Sequence, residues 1–512
     1  MLFKKLRNFI IICLSGFILS LSTPGYDLGF FAWVGLVPLF VILIMPGKSK
    51  EVVFLSFLFG FIYNLSCLKW IISLHPLYWL GFNNVQSYLV SFIAYFITCA
   101  YNGLFFILFA LIFLLVKKFG PFPFNQGIIN KILLSLLWIV VFNKISASKC
   151  LLGFPWTLIE YSQYKNFYLI QISEYLGSQF ISFLIVFFNL AVAEFVVYFL
   201  SVEKISGTYI SKSPFQLTYL MGNILFAAGL ITVTSLLGIQ LYSNTIKSSR
   251  SLPSHYVCVV QGNLPIKSTR GGHIDKSLSK KTYEDLIRYC KSEIIIAPEG
   301  SLPTNFSNDT GIQSWLKENA RKENADIIFG SYCKNNSDFT NCAVVYSPET
   351  KAFSYYNKEI LVPFGEFTPF SPFLPELIKE LTSFTLGYGF EEGKNTSLSY
   401  LRAGKAGINI CFELIFPSII QKHILSGANF LINLSDLSWF SDTLIRKQFV
   451  AFGVFRAIES RKPLIISSND GISAFIDQTG IIKSFSAPKS RYILKDRIVP
   501  NNKKTFYAEY GW

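Results

Sequence analysis

Histidine is almost missing from this chain: four residues in 512, at positions 75, 255, 273 and 423. So thin a supply leaves no basis for a histidine-built metal centre. The nine cysteines include no Cys-x-x-Cys pair and no Cys/His cluster at ligand spacing. Nothing else in the sequence points to a metal or an organic cofactor. Charge is scarce too, at 15% of residues, against 51% hydrophobic and 17% aromatic and a mean hydropathy of +0.42. An ordinary soluble protein is set aside by that balance. The net charge of +15 is not gathered into a basic, aromatic-lined surface, so nucleic acid is not the expected partner. Anionic lipid headgroups suit the pattern better.

What is present is unevenly spread. Up to residue 242 there are 14 Lys/Arg and 6 Asp/Glu, against 32 and 25 afterwards. Long uncharged runs fill the first part, and polar turns appear from residue 243. Two domains are therefore expected, a multi-pass transmembrane domain over 1–242 and a second domain over 243–512. A bilayer core of about 30 Å needs roughly 20 apolar residues in helix. Seven segments qualify: 8–23, 28–45, 53–73, 86–116, 132–147, 174–200 and 216–242. No cleavage site follows the first, since "SLSTPGYDLGFFAW" runs straight into the second; it reads as an uncleaved segment.

Lys/Arg bias sets the orientation. Lys4, Lys5, Arg7, Lys48, Lys50, Lys117, Lys118, Lys131, Lys204 and Lys212 share one side; the other holds Lys69, Lys144, Lys149 and Lys165. The amino terminus is expected in the cytoplasm and, after seven crossings, the second domain outside. In a bacterium the membrane is then the inner one and the outer side the periplasm. The loop "LLGFPWTLIEYSQ", 151–163, reads either as an interfacial anchor or as something more. Glu174 and Asn189, near and within the sixth segment, are polar groups that tend to face protein or water.

From residue 256 the pattern becomes strands alternating with helices. "YVCVVQG", "EIIIAPEG", "ADIIFGSYC", "NCAVVYSP", "AGINICFE", "ANFLINLSD" and "KPLIISSN" read as buried strands. "DKSLSKKTYEDLIRYC", "IQSWLKENARKEN" and "IRKQFVAFGVFRAIES" have helical periodicity. An α/β sandwich of about 270 residues follows. Reactive side chains sit at three strand ends: Glu299 after "IIIAP", Lys358 after "FSYYN", Cys411 after "GINI". Together they would make an acyl-transfer apparatus. A thiol is only slightly ionised at neutral pH, so a carboxylate must take its proton. A neighbouring cation would lower the thiol pKa and stabilise an oxyanion. Separately, Glu299 reads equally as a cap, Lys358 as a solvated charge and Cys411 as core filler.

"APEGSLP", "YNKEILVPFGEFTPF" and "ICFELIFP" resemble the three signature segments of the nitrilase (carbon–nitrogen hydrolase) superfamily. That resemblance implies an αββα sandwich with Glu299 as general base, Lys358 as oxyanion and thiolate partner, and Cys411 as nucleophile. "VVQGNLP" at 259–265, "LVPFGEF" at 361–367, "GFPWTLIEYSQ" and "SFLIVFFNLAVAE" are similar, more narrowly, to the apolipoprotein N-acyltransferase family, over essentially the whole chain. Glu366 matches that family's additional glutamate. Glu413 and Phe412 join the site as supporting residues, Glu413 sharing the strand face of Cys411 if extended geometry continues.

The resemblance implies an acyl donor that is a membrane phospholipid, usually phosphatidylethanolamine, and a thioester on Cys411. The acceptor would be the α-amino group of the lipidated, diacylglyceryl-bearing N-terminal cysteine of an apolipoprotein. The aromatic, proline-broken stretch 367–390 suits a lipid-contacting arm, or else a helical insertion packed on the sandwich. Departures from the family pattern include Phe412 for Tyr, Ile360 for His, Phe367 for Tyr, and Lys447 with Gln448 for a Gln-His pair. The family's further crossing after the sandwich does not follow "KKTFYAEYGW", so the carboxyl terminus is expected to stay outside. A membrane-tethered amidase that gives its acyl group to water, and an inactive scaffold, are the alternatives.

Overall fold

The computed structural model describes residues 2–78, 81–119, 127–200, 204–205, 208–209, 214–265, 275–335, 338–367, 369, 389–394 and 397–511. The chain folds as two units. One comprises Met1–Ile72 and Ser91–Leu241, the other Ser73–Val90 and Tyr242–Trp512.

The first unit is helical: α1 (Leu2–Ser20), α2 (Val37–Ile44), α3 (Ser49–Cys67), α4 (Asn84–Phe119, entering from the second unit), α5 (Ile128–Trp138), α6 (Gln179–Leu200) and α7 (Pro214–Ser249). Among the described residues, five helices are long and apolar enough to cross a membrane: α3, α4, α5 with its π-helical continuation to Ile145, α6 and α7. The two outside that set have physical reasons. Lys4, Lys5 and Arg7 lie within α1 itself. The second segment is not one helix but a 3-10 turn, Gly29–Trp33, and the eight-residue α2. At 36 residues, α4 and α7 are each about 54 Å long, more than a bilayer core needs. Only 17% of the apolar window of α7 is buried, as suits a lipid-facing helix.

Polar groups in this unit are matched to each other. Asn189 on α6 spans the break before α2: its Oδ1 accepts from the Leu36 N–H at 3.1 Å and its Nδ2 donates to the Ala32 carbonyl at 2.9 Å. Lys131 on α5 pairs with Glu194 on α6 at 2.6 Å, both almost wholly buried. Glu174 falls outside the long sixth helix, in the separate turn Ser173–Leu176, before Gly177 at φ +71°. The 151–163 loop is packed inward. Trp156 lies against Trp70, with ring centroids 5.1 Å apart, and Glu160, with no exposed surface, accepts from Asn143 Nδ2 at 2.6 Å and from Ser182 Oγ. Residues Phe154–Ile159 also line a crevice of about 420 Å³ with Asn64, Asn102 and Trp138.

The second unit is built on two sheets. One has the order β13-β1-β2-β4-β5-β6, from β1 (His255–Gln261), β2 (Ile294–Ile296), β4 (Asp326–Asn335), β5 (Asp338–Ser347), β6 (Ala352–Asn357) and β13 (Tyr492–Ile498); β3 (Leu302–Asn305) also pairs with β4. The other runs β12-β11-β10-β9-β8-β7, from β7 (Ser399–Leu401), β8 (Gly404–Ile410), β9 (Phe430–Ser435), β10 (Leu464–Ser468), β11 (Ala474–Ile476) and β12 (Ile482–Phe485). Alternation along each strand sorts side chains to two faces. Val257, Val259, Ile294 and Ile296 meet Ile408, Ile410, Ile432 and Ile465 between the sheets. Cys258, Val260 and Ile295 point the other way, onto Tyr283 and Ile287 of α8 (Lys276–Ile287) and Trp315 and Leu316 of α9 (Thr310–Glu323). Two further helices, α10 (Pro417–Leu425) and α11 (Thr443–Ser460), follow β8 and β9. The architecture is the expected αββα sandwich.

The five cysteines of this unit form two disulfides, Cys258–Cys290 and Cys333–Cys342, and Cys411 stays free.

Candidate active site

Strand ends deliver the reactive groups. β2 stops at Ile296 and the chain turns through Glu299; β6 ends at Asn357, immediately before Lys358. β8 ends at Ile410, and Cys411 opens a 3-10 turn, Cys411–Ile415, at φ +51°. A residue other than glycine held in left-handed backbone is strained, and such a bend lifts the side chain off the strand end. The Glu299 turn lies hard against β4: a Cβ on Gly330 would stand 2.5 Å from the Glu299 Cα, so only glycine admits the approach.

Around these ends a closed polar network forms. Glu299 Oε1 accepts from Asn341 Nδ2 at 2.7 Å and from Lys358 Nζ at 3.4 Å. Its Oε2 accepts from the Asp436 N–H at 2.9 Å. Glu366 Oε1 accepts from both Lys358 Nζ and Asn341 Nδ2 at 2.9 Å, and its Oε2 from the Val362 N–H at 2.8 Å. The Cys411 thiol lies within electrostatic reach of Glu299, Lys358 and Glu366. The Lys358 side chain is 1% exposed and that of Glu299 13%, so the pair is screened little by solvent.

Electrostatics here correct one expectation. Lys358 does pull the thiol pKa down, but burial and the negative charges of Glu299 and Glu366 outweigh it, and the thiol stands well above its ordinary range. With two carboxylates and one ammonium, the surroundings are net negative. At neutral pH the Cys411 side chain is therefore a neutral thiol. Lys358 is the converse case: burial works against its charge, yet Glu366, Glu299 and Cys411 together raise its pKa.

Glu413 is a second correction. It does not share a strand face with Cys411, because the strand ends at Ile410 and the 3-10 turn rotates residue 413 inward. There it has no exposed surface and accepts from the N–H groups of Ile410, Glu359 and Ile360 and from the Tyr356 hydroxyl. It ties the Lys358 segment to the Cys411 turn. Burial lifts its pKa to about 7, opposed by those backbone N–H groups and Lys358. Phe412 is buried and meets Phe416 edge-on at 5.2 Å, bracing the same turn.

Three contributors carried no sequence signal: Asn341 in mid-strand, the Asp436 N–H, and Gly330. Asn433, on β9, donates to the Cys411 carbonyl at 3.2 Å. The expected arm over 367–390 lies almost wholly outside the described residues.

A carboxylate, an ammonium and a thiol thus stand together at the strand ends of an αββα sandwich. Residues 267–498 match the family described as carbon-nitrogen hydrolase, and residues 15–191 match the apolipoprotein N-acyltransferase N-terminal domain. An apolipoprotein N-acyltransferase of Geobacter metallireducens is 27% identical, covering 99% of this chain and 92% of its own. One of Pasteurella multocida is 25% identical, over 99% and 92%. A solved carbon–nitrogen hydrolase from Helicobacter pylori aligns with 48% of this chain and 89% of its own at 17% identity, TM-score 0.37. The chain belongs to the apolipoprotein N-acyltransferase family, within the carbon–nitrogen hydrolase superfamily.

Proposed function

We propose that this chain is a phospholipid:apolipoprotein N-acyltransferase, with residues 1–242 as its membrane domain and 243–512 as its catalytic domain. The observation that carries the reading is the single hydrogen-bonded network joining Glu299, Lys358 and Glu366, with the Cys411 thiol within electrostatic reach of all three.

In the first step Glu299 takes the thiol proton as sulfur attacks the ester carbonyl of a phospholipid, phosphatidylethanolamine being the expected donor. Lys358 stabilises the oxyanion, acting where charge develops. The ester C–O bond breaks, the proton on Glu299 passes to the departing alkoxide, and a lysophospholipid leaves. In the second step the α-amine of a diacylglyceryl cysteine attacks the thioester and loses a proton to Glu299. The C–S bond breaks and that proton returns to sulfur. Glu366 holds Lys358 in place, while Glu413 and Phe412 fix the turn that carries the nucleophile. Both substrates are membrane-anchored, so a tethered catalyst replaces bulk diffusion with proximity.

The catalytic domain is placed outside a bacterial inner membrane, on the periplasmic side. The Lys/Arg asymmetry of the loops supports this. So do the two disulfides, since such bonds persist in oxidising compartments.

The test is mass spectrometry of the purified protein after exposure to phosphatidylethanolamine vesicles. A fatty-acyl mass on the peptide containing Cys411, removed by hydroxylamine and passed to a diacylglyceryl lipopeptide, is expected. Release of free fatty acid with no triacylated peptide would mark a hydrolase instead.

A further inference from the structure

Cys411 stands at φ +51°, in backbone that a residue with a side chain leaves unless something holds it there. Strand β8 gives no such hold past its end: Ile410 pairs with Leu434 of β9, and there the ladder stops. Glu413 Oε2 accepts from the Ile410 N–H at 2.6 Å, which pins the chain one residue before the sulfur. The far side of the bend needs an anchor of its own.

Asn433 is placed to be that anchor. It lies on β9 directly opposite Asn409 of β8, one step before the last pair of the ladder. Ile408, Ile410, Ile432 and Leu434 enter the core between the sheets, so the two asparagines share the opposite face. Neither has any exposed surface. Asn433 Nδ2 donates to the Cys411 carbonyl at 3.2 Å and to Asn409 Oδ1 at 2.6 Å; Asn409 Nδ2 in turn donates to the Ile432 carbonyl at 3.1 Å. Main-chain carbonyls accept at both ends of this chain of amides. Neither amide can therefore be reversed without setting oxygen against oxygen. The orientation leaves Asn433 Oδ1 buried, with no hydrogen-bond partner among the described residues. Such an orphan is costly, and strands buried on both faces are ordinarily apolar throughout. Two apolar residues would serve the sheet better; what the asparagines add is a grip on Cys411.

The consequence is one of aim. With the Cys411 carbonyl released, φ can relax to negative values, and the Cα–Cβ bond swings as it does. The sulfur now within electrostatic reach of Glu299 and Lys358 would move off them, and a misplacement of about 1 Å can cost on the order of 10²-fold in rate.

We propose that Asn433 is a positioning residue of the nucleophile: by holding the Cys411 carbonyl it keeps that residue in left-handed backbone and its sulfur within reach of Glu299 and Lys358. This role rests on the acyl-transfer reading for the reaction it serves.

Two variants of the full-length, detergent-solubilised protein test it: Asn433→Leu, which keeps the bulk and removes the donor, and Asn433→Ser, which is too short to span the gap. Mass spectrometry of the peptide containing Cys411 follows three reactions: acylation from phosphatidylethanolamine vesicles, acylation by p-nitrophenyl butyrate, and alkylation by iodoacetamide. Both acylations demand that sulfur, base and cation be aligned; alkylation demands only a sulfur that can be reached. Each variant should lose about tenfold in kcat for both acylations with KM within about twofold, while alkylation per folded molecule changes by no more than about twofold. Should the leucine variant fail to fold, the serine variant carries the test. Acylation and alkylation that fall in proportion, a change confined to KM, unchanged rates, or misfolding of both variants would each make Asn433 a part of the fold alone and overturn the proposal. The aryl ester keeps the two readings apart. A wild-type protein acylated by it but never by phospholipid would sink the phospholipid reading, and the role of Asn433 would still be read from the aryl ester.

Discussion

Both units of this protein bury carboxylates, and they do so differently. In the helical unit Glu160 is surrounded by neutral donors from Asn143 and Ser182, and Glu194 meets Lys131 one to one. In the sandwich, Glu299 and Glu366 crowd a single ammonium beside a thiol in left-handed backbone. Buried charge alone is therefore no signature of chemistry. What sets the sandwich apart is imbalance: a surplus of negative charge beside a cysteine in left-handed backbone.

That contrast can be broken from the sandwich side first. Cys411→Ala should abolish the acylated peptide and lower transfer by at least about 10³-fold while leaving the melting temperature nearly unchanged. Retained acylation in that variant would remove the nucleophile from its role. Lys358→Met comes next. It should cost about 3–5 kcal/mol of stability, because two buried carboxylates lose their cation, and about 10²–10³-fold in acylation. The sign for the thiol is fixed: without the cation its pKa rises further, so iodoacetamide should label Cys411 more slowly at pH 7 than in the wild type.

In the helical unit the balanced pair sharpens the comparison. Lys131→Met should destabilise by roughly 3 kcal/mol, by stranding Glu194, yet leave acylation per folded molecule unchanged. A fall in that specific rate would make the ion pair more than structural. The smallest effect is a matter of pH. Glu413 holds its proton to about pH 7 when folded, but only to about 4.5 when unfolded. Its contribution is full below that lower value and is lost as pH rises to 7, on the order of 3 kcal/mol at most. Thermal unfolding between about pH 4.5 and 7.5 should show the decline, and Glu413→Gln should flatten it.

Much of the site was legible because strand-end motifs are short-range features. Glu299, Lys358 and Cys411 each follow a strand-forming run, and the resemblance brought Glu366 with them. Glu413 was misplaced because the two-residue period was carried past Ile410, where a 3-10 turn takes over. Asn341 was invisible, since a lone polar residue inside a strand announces no partner 25 or 42 residues away. Strand β13 was missed for a similar reason: "YILKDRI" carries three successive charges, Lys495, Asp496 and Arg497, and its pairing with β1 spans the domain. In the helical unit, composition is too uniform to reveal the break at 34–36. Asn189 marked the spot without saying why.

The pairing of cysteines has a consequence for how the domain is made. Cys258 and Cys290 are 32 residues apart and Cys333 and Cys342 only 9, and all four precede Cys411 along the chain. As the polypeptide emerges from its amino end, each bridge can close locally before the last sulfhydryl appears. On a domain exported as proposed, the order of arrival spares Cys411 from scrambling.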